Sequence, residues 1–264
     1  MPEQDHTSGT DNETDTNTVV QFPERAQDGS KPYALIIGIN GAIGQALAKT
    51  YQDSHQIVGI ARDIHNADHN FTLVQSDYAE QHLPELFETL YGISPEYELI
   101  INCIGLLHNA FIGPEKQIKQ ITERSLTHYF HVNSILPALL IKHLHPLLPK
   151  KSRSVFAHLS AMVGSIKDNK MGGWYGYRAS KAALNMLVKT ASIELARTHP
   201  QCIVLALHPG TTRSKLSAPF TRNRSADKLY TPELTAKRLG RIIDSVGTED
   251  SGQFFHWSGS KLEW

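Results

Sequence analysis

Seven short apolar runs recur along this chain with helix-like segments between them, and that alternation restricts the fold more than any other property. The runs are Tyr33 to Ile37, His55 to Ile60, Phe71 to Val74, Leu99 to Cys103, Ser154 to Leu159, Cys202 to Leu207 and Gly252 to Trp257. A strand that is apolar on both faces must be covered on both sides, which is the pattern of a parallel sheet dressed with helices. Helical spacing is read from the glycine turn near residue 41 to about Gln52, over Leu83 to Tyr91, as one long helix over Ile118 to Leu148, and from Tyr177 to about Thr198. A further helix starts at Thr231-Pro232-Glu233, with proline at its first position. No internal repeat is present. The expectation is a single α/β domain with a doubly wound, seven-stranded parallel sheet and helices on both faces.

Residues 1–30 are of different material. They carry seven acidic residues against one arginine and almost no large apolar side chains. Such a segment cannot bury enough surface to offset its ordering entropy, so residues 1–30 are expected to be a disordered acidic tail and 31–264 the folded domain. Over the whole chain 26 basic residues balance 26 acidic ones, which gives no pointer to nucleic acid or an anionic membrane. The longest mostly apolar uncharged run, Tyr33 to Ala48, holds three glycines and falls short of a membrane span. No secretion signal opens the chain. Cys103 and Cys202 both lie in strand-like runs and read as small core residues, which fits a reducing, cytoplasmic compartment. The 14 histidines are scattered without a third ligand in register, so no metal is expected.

Chemistry enters with the first strand. It runs into Gly38-Ile39-Asn40-Gly41-Ala42-Ile43-Gly44 and then a helix. Glycines at a strand-to-helix turn let a pyrophosphate approach the helix N-terminus closely, and the flanking strand and helix are the context that gives the pattern meaning. The second strand ends at Ala61-Arg62-Asp63. An acid there would take ribose hydroxyls and an arginine a 2′-phosphate; Arg62 comes first, so NADP(H) is favoured, with NAD(H) possible. Asp77 follows the third strand where an adenine edge would lie, and Asn102-Cys103-Ile104-Gly105 closes the fourth with a small residue toward the cofactor.

Ser160 stands at the C-terminal end of the fifth strand, the edge at which open α/β sheets bind ligands. Tyr177 and Lys181 are four apart on one helix, so phenol and ammonium share a face. A phenol keeps its proton to a pH of roughly 10, and a neighbouring cation lowers that value. Asn133 is a lone amide in the long helix. The sixth strand ends in His208-Pro209-Gly210-Thr211-Thr212, and a basic stretch to about Tyr230 is long enough to cover a site.

The glycine turn, the Asn102 to Gly105 turn, Asn133, Ser160, Tyr177 with Lys181, and Pro209-Gly210 occur in the order found in the short-chain dehydrogenase/reductase family, which residues 33–264 resemble throughout. Gly105-Leu106-Leu107-His108, Gly113-Pro114-Glu115-Lys116, Ala218-Pro219-Phe220 and Gly252-Gln253-Phe254-Phe255-His256-Trp257 are similar to the subgroup of C-factor signalling proteins and carbonyl reductases. The resemblance implies a Rossmann-type fold and an NADP(H)-dependent oxidoreductase acting on a small-molecule carbonyl or alcohol. Tyr177 would be the acid/base. Lys181 would lower the tyrosine pKa and hold the nicotinamide ribose, Ser160 would hold the substrate oxygen, and Asn133 would anchor a water leading to Lys181. Gly38, Asn40, Ile43 and Gly44 would line phosphates and ribose, Asp77 would meet the adenine, and Pro209, Gly210 and Thr212 would hold the carboxamide. A homodimer or homotetramer built on the helices of Asn133 and Tyr177 is implied.

Four departures from the family pattern stand out. Ala42 replaces a glycine, Ile104 is bulkier than usual, Ser214 stands where threonine is common, and Ser160 and Tyr177 are 17 residues apart, which enlarges the loop expected over the substrate. The alternative reading is a cofactor-binding sensor of the C-factor type with little turnover. A nucleotide-sugar epimerase would need a longer C-terminal domain than this chain has.

Overall fold

The computed structural model describes residues 18–22, 31–65, 68, 70–221, 225 and 228–264. Its centre is a parallel sheet built from the seven predicted runs: β2 (Tyr33–Ile37), β3 (Gln56–Ala61), β4 (Thr72–Gln75), β5 (Leu99–Asn102), β6 (Ser154–Leu159), β7 (Cys202–His208) and β8 (Gln253–His256). The first strand, β1 (Val20–Gln21), and the last, β9 (Lys261–Leu262), pair antiparallel on the two edges. The order across the sheet is β1-β4-β3-β2-β5-β6-β7-β8-β9. Strand order reverses between β2 and β5, and the crevice at that switch point is where such sheets bind ligands.

The period-two alternation of each strand feeds two separate cores. Ala34, Ile36, Val155, Ala157, Ile203 and Leu205 face one side with α1 (Ala42–Tyr51) and α6 (Pro232–Ser245). Leu35, Ile37, Phe156, Val204 and Ala206 face the other, with α2 (Leu83–Ile93), α4 (Leu136–Leu144) and α5 (Tyr175–Thr198). Burial on both faces is why these runs lack a polar alternation.

Two expectations need correction. Val20–Gln21 lies inside the segment expected to be disordered, yet it pairs with Leu73 and Val74 of β4. Edge pairing is made by backbone groups and asks little of the side chains, so composition does not reveal it. The rest of that tail, 1–17 and 23–30, lies outside the described residues. The single helix expected over Ile118 to Leu148 is instead α3 (Glu123–Phe130), a π-turn (His131–Ile135) and α4, flanked by short 3-10 turns. Thr122 caps α3 by accepting the Ser125 N–H at 3.1 Å. Pro137 has no N–H to return to the carbonyl four residues back, that of Asn133, and the ladder widens just there.

Candidate active site

Gly38 ends β2 in the left-handed region at φ +80°. Its N–H and that of Ile39 both donate to the Ile60 carbonyl of β3, which also accepts the Tyr78 phenol at 3.1 Å. A Cβ on Gly44 would stand 2.5 Å from the Gly38 carbonyl, so α1 can start this close to β2 only with glycine there. Ala42 is accommodated at no cost: it is the first residue of α1, and the departure from the family glycine falls on ordinary helical backbone. The N-terminus of α1 receives no side-chain cap. Its free N–H groups are therefore a ready anion site beside Ile43, which lines the cavity described below.

Arg62 follows β3 and is exposed. The Asn40 amide donates to the Asp63 carbonyl across the same corner, and Asn40 Oδ1 is buried without a partner among the described residues. The Asp77 carboxylate accepts the Ala79 N–H at 2.8 Å and faces His82 Nδ1 at 3.0 Å. The Ala79 hydrogen bond is the main reason its pKa is lowered. Asn102 folds the end of β5 by accepting the Ile104 N–H at 3.0 Å, and Ile104 and Gly105 both reach the cavity.

Asn133 sits in the π-turn, fully buried. Its Oδ1 accepts the Leu106 N–H at 2.8 Å, and its Nδ2 donates to the Leu106 carbonyl at 2.9 Å and the Ser180 hydroxyl at 3.0 Å. The side chain thus clamps the loop after β5 to α5.

Ser160, Tyr177 and Lys181 converge on one cavity of about 460 Å³. The Tyr177 ring meets Tyr129 and Trp174 edge-on at 6.2 and 6.1 Å. Lys181 Nζ donates to the Leu159 carbonyl at 2.9 Å. Burial pushes the Tyr177 phenol above its ordinary pKa and drives the Lys181 ammonium down to about 7. The expected lowering of the tyrosine by its lysine is therefore set against burial, which disfavours both charged forms. His158, behind them on β6, is held neutral: burial, then Lys181, lowers its pKa to about 3.

Pro209, Gly210 and Thr212 border the same cavity. Gly210 is at φ +75°, and a Cβ there would strike Trp257 and Tyr230. Thr212 shares a hydrogen bond with Thr235 at 2.8 Å. Paired hydrogen bonds from Arg213 N–H to Tyr230 carbonyl and from Tyr230 N–H to Thr211 carbonyl close the neck of the covering segment. Residues 222–224 and 226–227 of that segment lie outside the described residues.

The enlarged loop between Ser160 and Tyr177 does less at the cavity than its length implies. Ala161, Met162, Val163 and Trp174 line the cavity, whereas Ile166 and Met171 face outward at 77% and 93% exposure. The loop instead reaches the C-terminus, where the Lys167 N–H donates to the Trp264 carbonyl and Lys167 pairs with Glu263.

Sequence reasoning missed Glu115 and Asn185. Glu115 is a buried carboxylate that accepts the Ser125 hydroxyl at 3.0 Å and, at the start of α5, the Gly176 N–H at 3.1 Å. Its carbonyl accepts the Trp174 N–H at 2.5 Å, holding Trp174 at φ 56°. Asn185 accepts the Ser160 hydroxyl at 2.6 Å. Its signal was available, since it lies on the Tyr177–Lys181 face one turn further along α5. Among the described residues no group of three or more His, Cys, Asp or Glu stands in a metal-binding arrangement, and no helix is long and apolar enough to cross a membrane.

Known proteins share this fold. The carbonyl reductase Sniffer of D. melanogaster superposes with a TM-score of 0.77 at 21% identity, over 89% of this chain and 100% of that one. The NADPH-bound carbonyl reductase from chicken fatty liver gives 0.76 at 20% identity, over 89% and 99%. At such identities the likeness is one of fold. In sequence, the C-signal of Myxococcus xanthus is 32% identical over 136 residues, which is 51% of this chain and 76% of that protein. The 1-hydroxy-2-glutathionyl-2-methyl-3-butene dehydrogenase of Rhodococcus sp. is 35% identical over 133 residues, 50% of this chain and 56% of that protein. The family model for short chain dehydrogenases matches residues 32–225. A match over well more than half of the sequence, on a sheet of this topology, means that the chain belongs to the short chain dehydrogenase family of NAD(P)-dependent oxidoreductases.

Proposed function

We propose that the protein reduces an aldehyde or ketone with NADPH, or oxidises the corresponding alcohol with NADP⁺, and that Tyr177 is the acid/base. The observation that carries this reading is the convergence of Tyr177, Lys181 and Ser160 on a cavity that also touches Ile43 of the glycine turn. The uncapped α1 N-terminus, the tight approach at Gly44 and the unpartnered Asn40 Oδ1 fit a dinucleotide. When bound, the cofactor supplies or accepts the hydride.

The chain's own residues would do the rest. Tyr177 delivers its proton to the carbonyl oxygen during reduction and takes it back during oxidation. Lys181, with a pKa near 7 when alone, regains its proton beside a negatively charged ligand, and the ammonium so formed lowers the phenol. Ser160 orients the substrate oxygen, and Asn133 anchors a water leading to Lys181. Gly38, Asn40, Ile43 and Gly44 would hold phosphates and ribose, with Asn102 and Gly105 beside them. Pro209, Gly210 and Thr212 would hold the carboxamide and Asp77 the adenine. Leu107, Val163, Trp174, Leu216 and Phe220 make the cavity wall largely apolar, which favours an apolar or aromatic carbonyl compound.

The test is NADPH consumption with a panel of aldehydes and ketones. Turnover of at least one supports the reading. Tight NADPH binding with none turned over would move the protein to the sensor alternative. Cofactor choice rests on Arg62. Arg62→Ala is expected to weaken NADPH about 10-fold and leave NADH unchanged, the worth of one charge-assisted phosphate contact. Equal Kd values for NADPH before and after the change would argue for NAD(H) instead.

Assembly follows the same reasoning. Ile135, Met186 and Ile193 are 47%, 67% and 52% exposed on the π-turn and α5. Apolar side chains of this size on the helices of the active site fit a homodimer or homotetramer. Light scattering is expected to give a mass of two or four chains, and a single-chain mass would refute it.

A further inference from the structure

Ser160 and Asn185 are both buried, and the 2.6 Å hydrogen bond between them is short and directed. Its polarity is fixed by a third group. Asn185 Nδ2 lies 3.3 Å from the Gly164 carbonyl, which can only accept. The amide nitrogen must therefore face Gly164, and the amide oxygen faces Ser160. Ser160 is the donor, and its only proton is used inside the protein, while its lone pairs are left for the cavity it lines. The Ser160 N–H is likewise engaged, at 2.8 Å to the Leu207 carbonyl.

We propose that Asn185 is a positioning residue that holds the Ser160 hydroxyl as a hydrogen-bond acceptor toward the reaction site. This rests on the reading of Ser160 as the group that orients the substrate oxygen. In this arrangement Ser160 receives the O–H of an alcohol, the substrate of oxidation or the product of reduction. A carbonyl oxygen, having no proton to give, takes its hydrogen bond from Tyr177. Asn185 lies eight residues beyond Tyr177 and four beyond Lys181 on α5, so one rigid helix sets the phenol, the ammonium and the orientation of the serine.

The test is a double-mutant cycle of Asn185→Leu and Ser160→Ala, read by kcat for an alcohol the parent oxidises and by the NADP⁺ Kd. Asn185→Leu in the parent is expected to lower kcat about 10-fold or more with Kd held within about 2-fold, and to change kcat by less than about 2-fold once Ser160 is Ala. Losses that multiply in the double variant overturn the proposal, since Asn185 would then act without Ser160. If Ser160→Ala alone costs nothing, the role of Ser160 itself falls. Should Asn185→Leu fail to fold, Asn185→Gln keeps both an acceptor for Ser160 and a donor for the Gly164 carbonyl and is expected to retain kcat within about 3-fold. A loss by Asn185→Gln as large as that of Ser160→Ala would overturn the proposal.

Discussion

Tyr177→Phe is expected to lower kcat for carbonyl reduction by roughly 10²- to 10⁴-fold, the usual contribution of a positioned general acid, with NADPH affinity nearly unchanged. The substitution removes one oxygen and keeps the ring. The ring packs edge-on against Tyr129 and Trp174, and phenylalanine preserves both contacts. Thermal stability should therefore stay within about 1 kcal/mol of the parent, as for other near-isosteric changes. Steady-state kinetics and a melting curve on the same preparation separate the two effects. A variant that melts normally and still turns over within a few-fold of the parent would remove Tyr177 from the chemistry.

Lys181→Met should move activity and stability in opposite directions. Activity falls, by about as much as for Tyr177→Phe, because no cation remains to lower the phenol. Stability rises. In the unfolded chain the lysine keeps its proton up to its ordinary value of 10.5, whereas in the fold it gives it up at about 7. Below pH 7 both states are charged, and the cost of burying the ammonium is fully present. Between the two values the unfolded chain binds more protons, so parent stability climbs with pH, and above both the cost is gone. Replacing buried ion pairs by well-packed apolar residues is often neutral or stabilising by about 1–4 kcal/mol, and a lone buried ammonium has no partner charge to offset its cost, with each kcal/mol worth about 2–4 °C in Tm at this size. The gain from Lys181→Met is therefore expected to be largest below pH 7 and to fade toward pH 10. A Tm that falls at pH 6, or a gain that grows with pH, would contradict the burial argument. The variant also bears on energetics more widely: the lysine would be kept against its own cost to stability, as active-site groups often are.

Strands buried on both faces were legible because they read as near-continuous apolar runs, and all seven runs became neighbours in one parallel sheet. The strand-end serine, the tyrosine–lysine pair and the glycine turn were legible because backbone geometry sets their spacing. What escaped depends on contacts between distant segments. Glu115 reads as one charge in a polar loop until Gly176 and Ser125 are brought to it. The break in the long helix was marked by Pro137, yet apolar periodicity on both sides of it masked the signal. Burial of the Tyr177–Lys181 pair escaped for a similar reason. Spacing says that phenol and ammonium share a face, but only the packed structure says how deeply both are buried.

The central claim is hydride transfer to a carbonyl carbon at the Tyr177 site. Its most direct test uses NADPH carrying deuterium at the transferable C4 position, with mass spectrometry of the alcohol formed from whichever carbonyl compound is consumed. One deuterium on the carbinol carbon, with product lost in Tyr177→Phe, is the predicted result. Product without deuterium, or labelled product formed equally well by Tyr177→Phe, would contradict it.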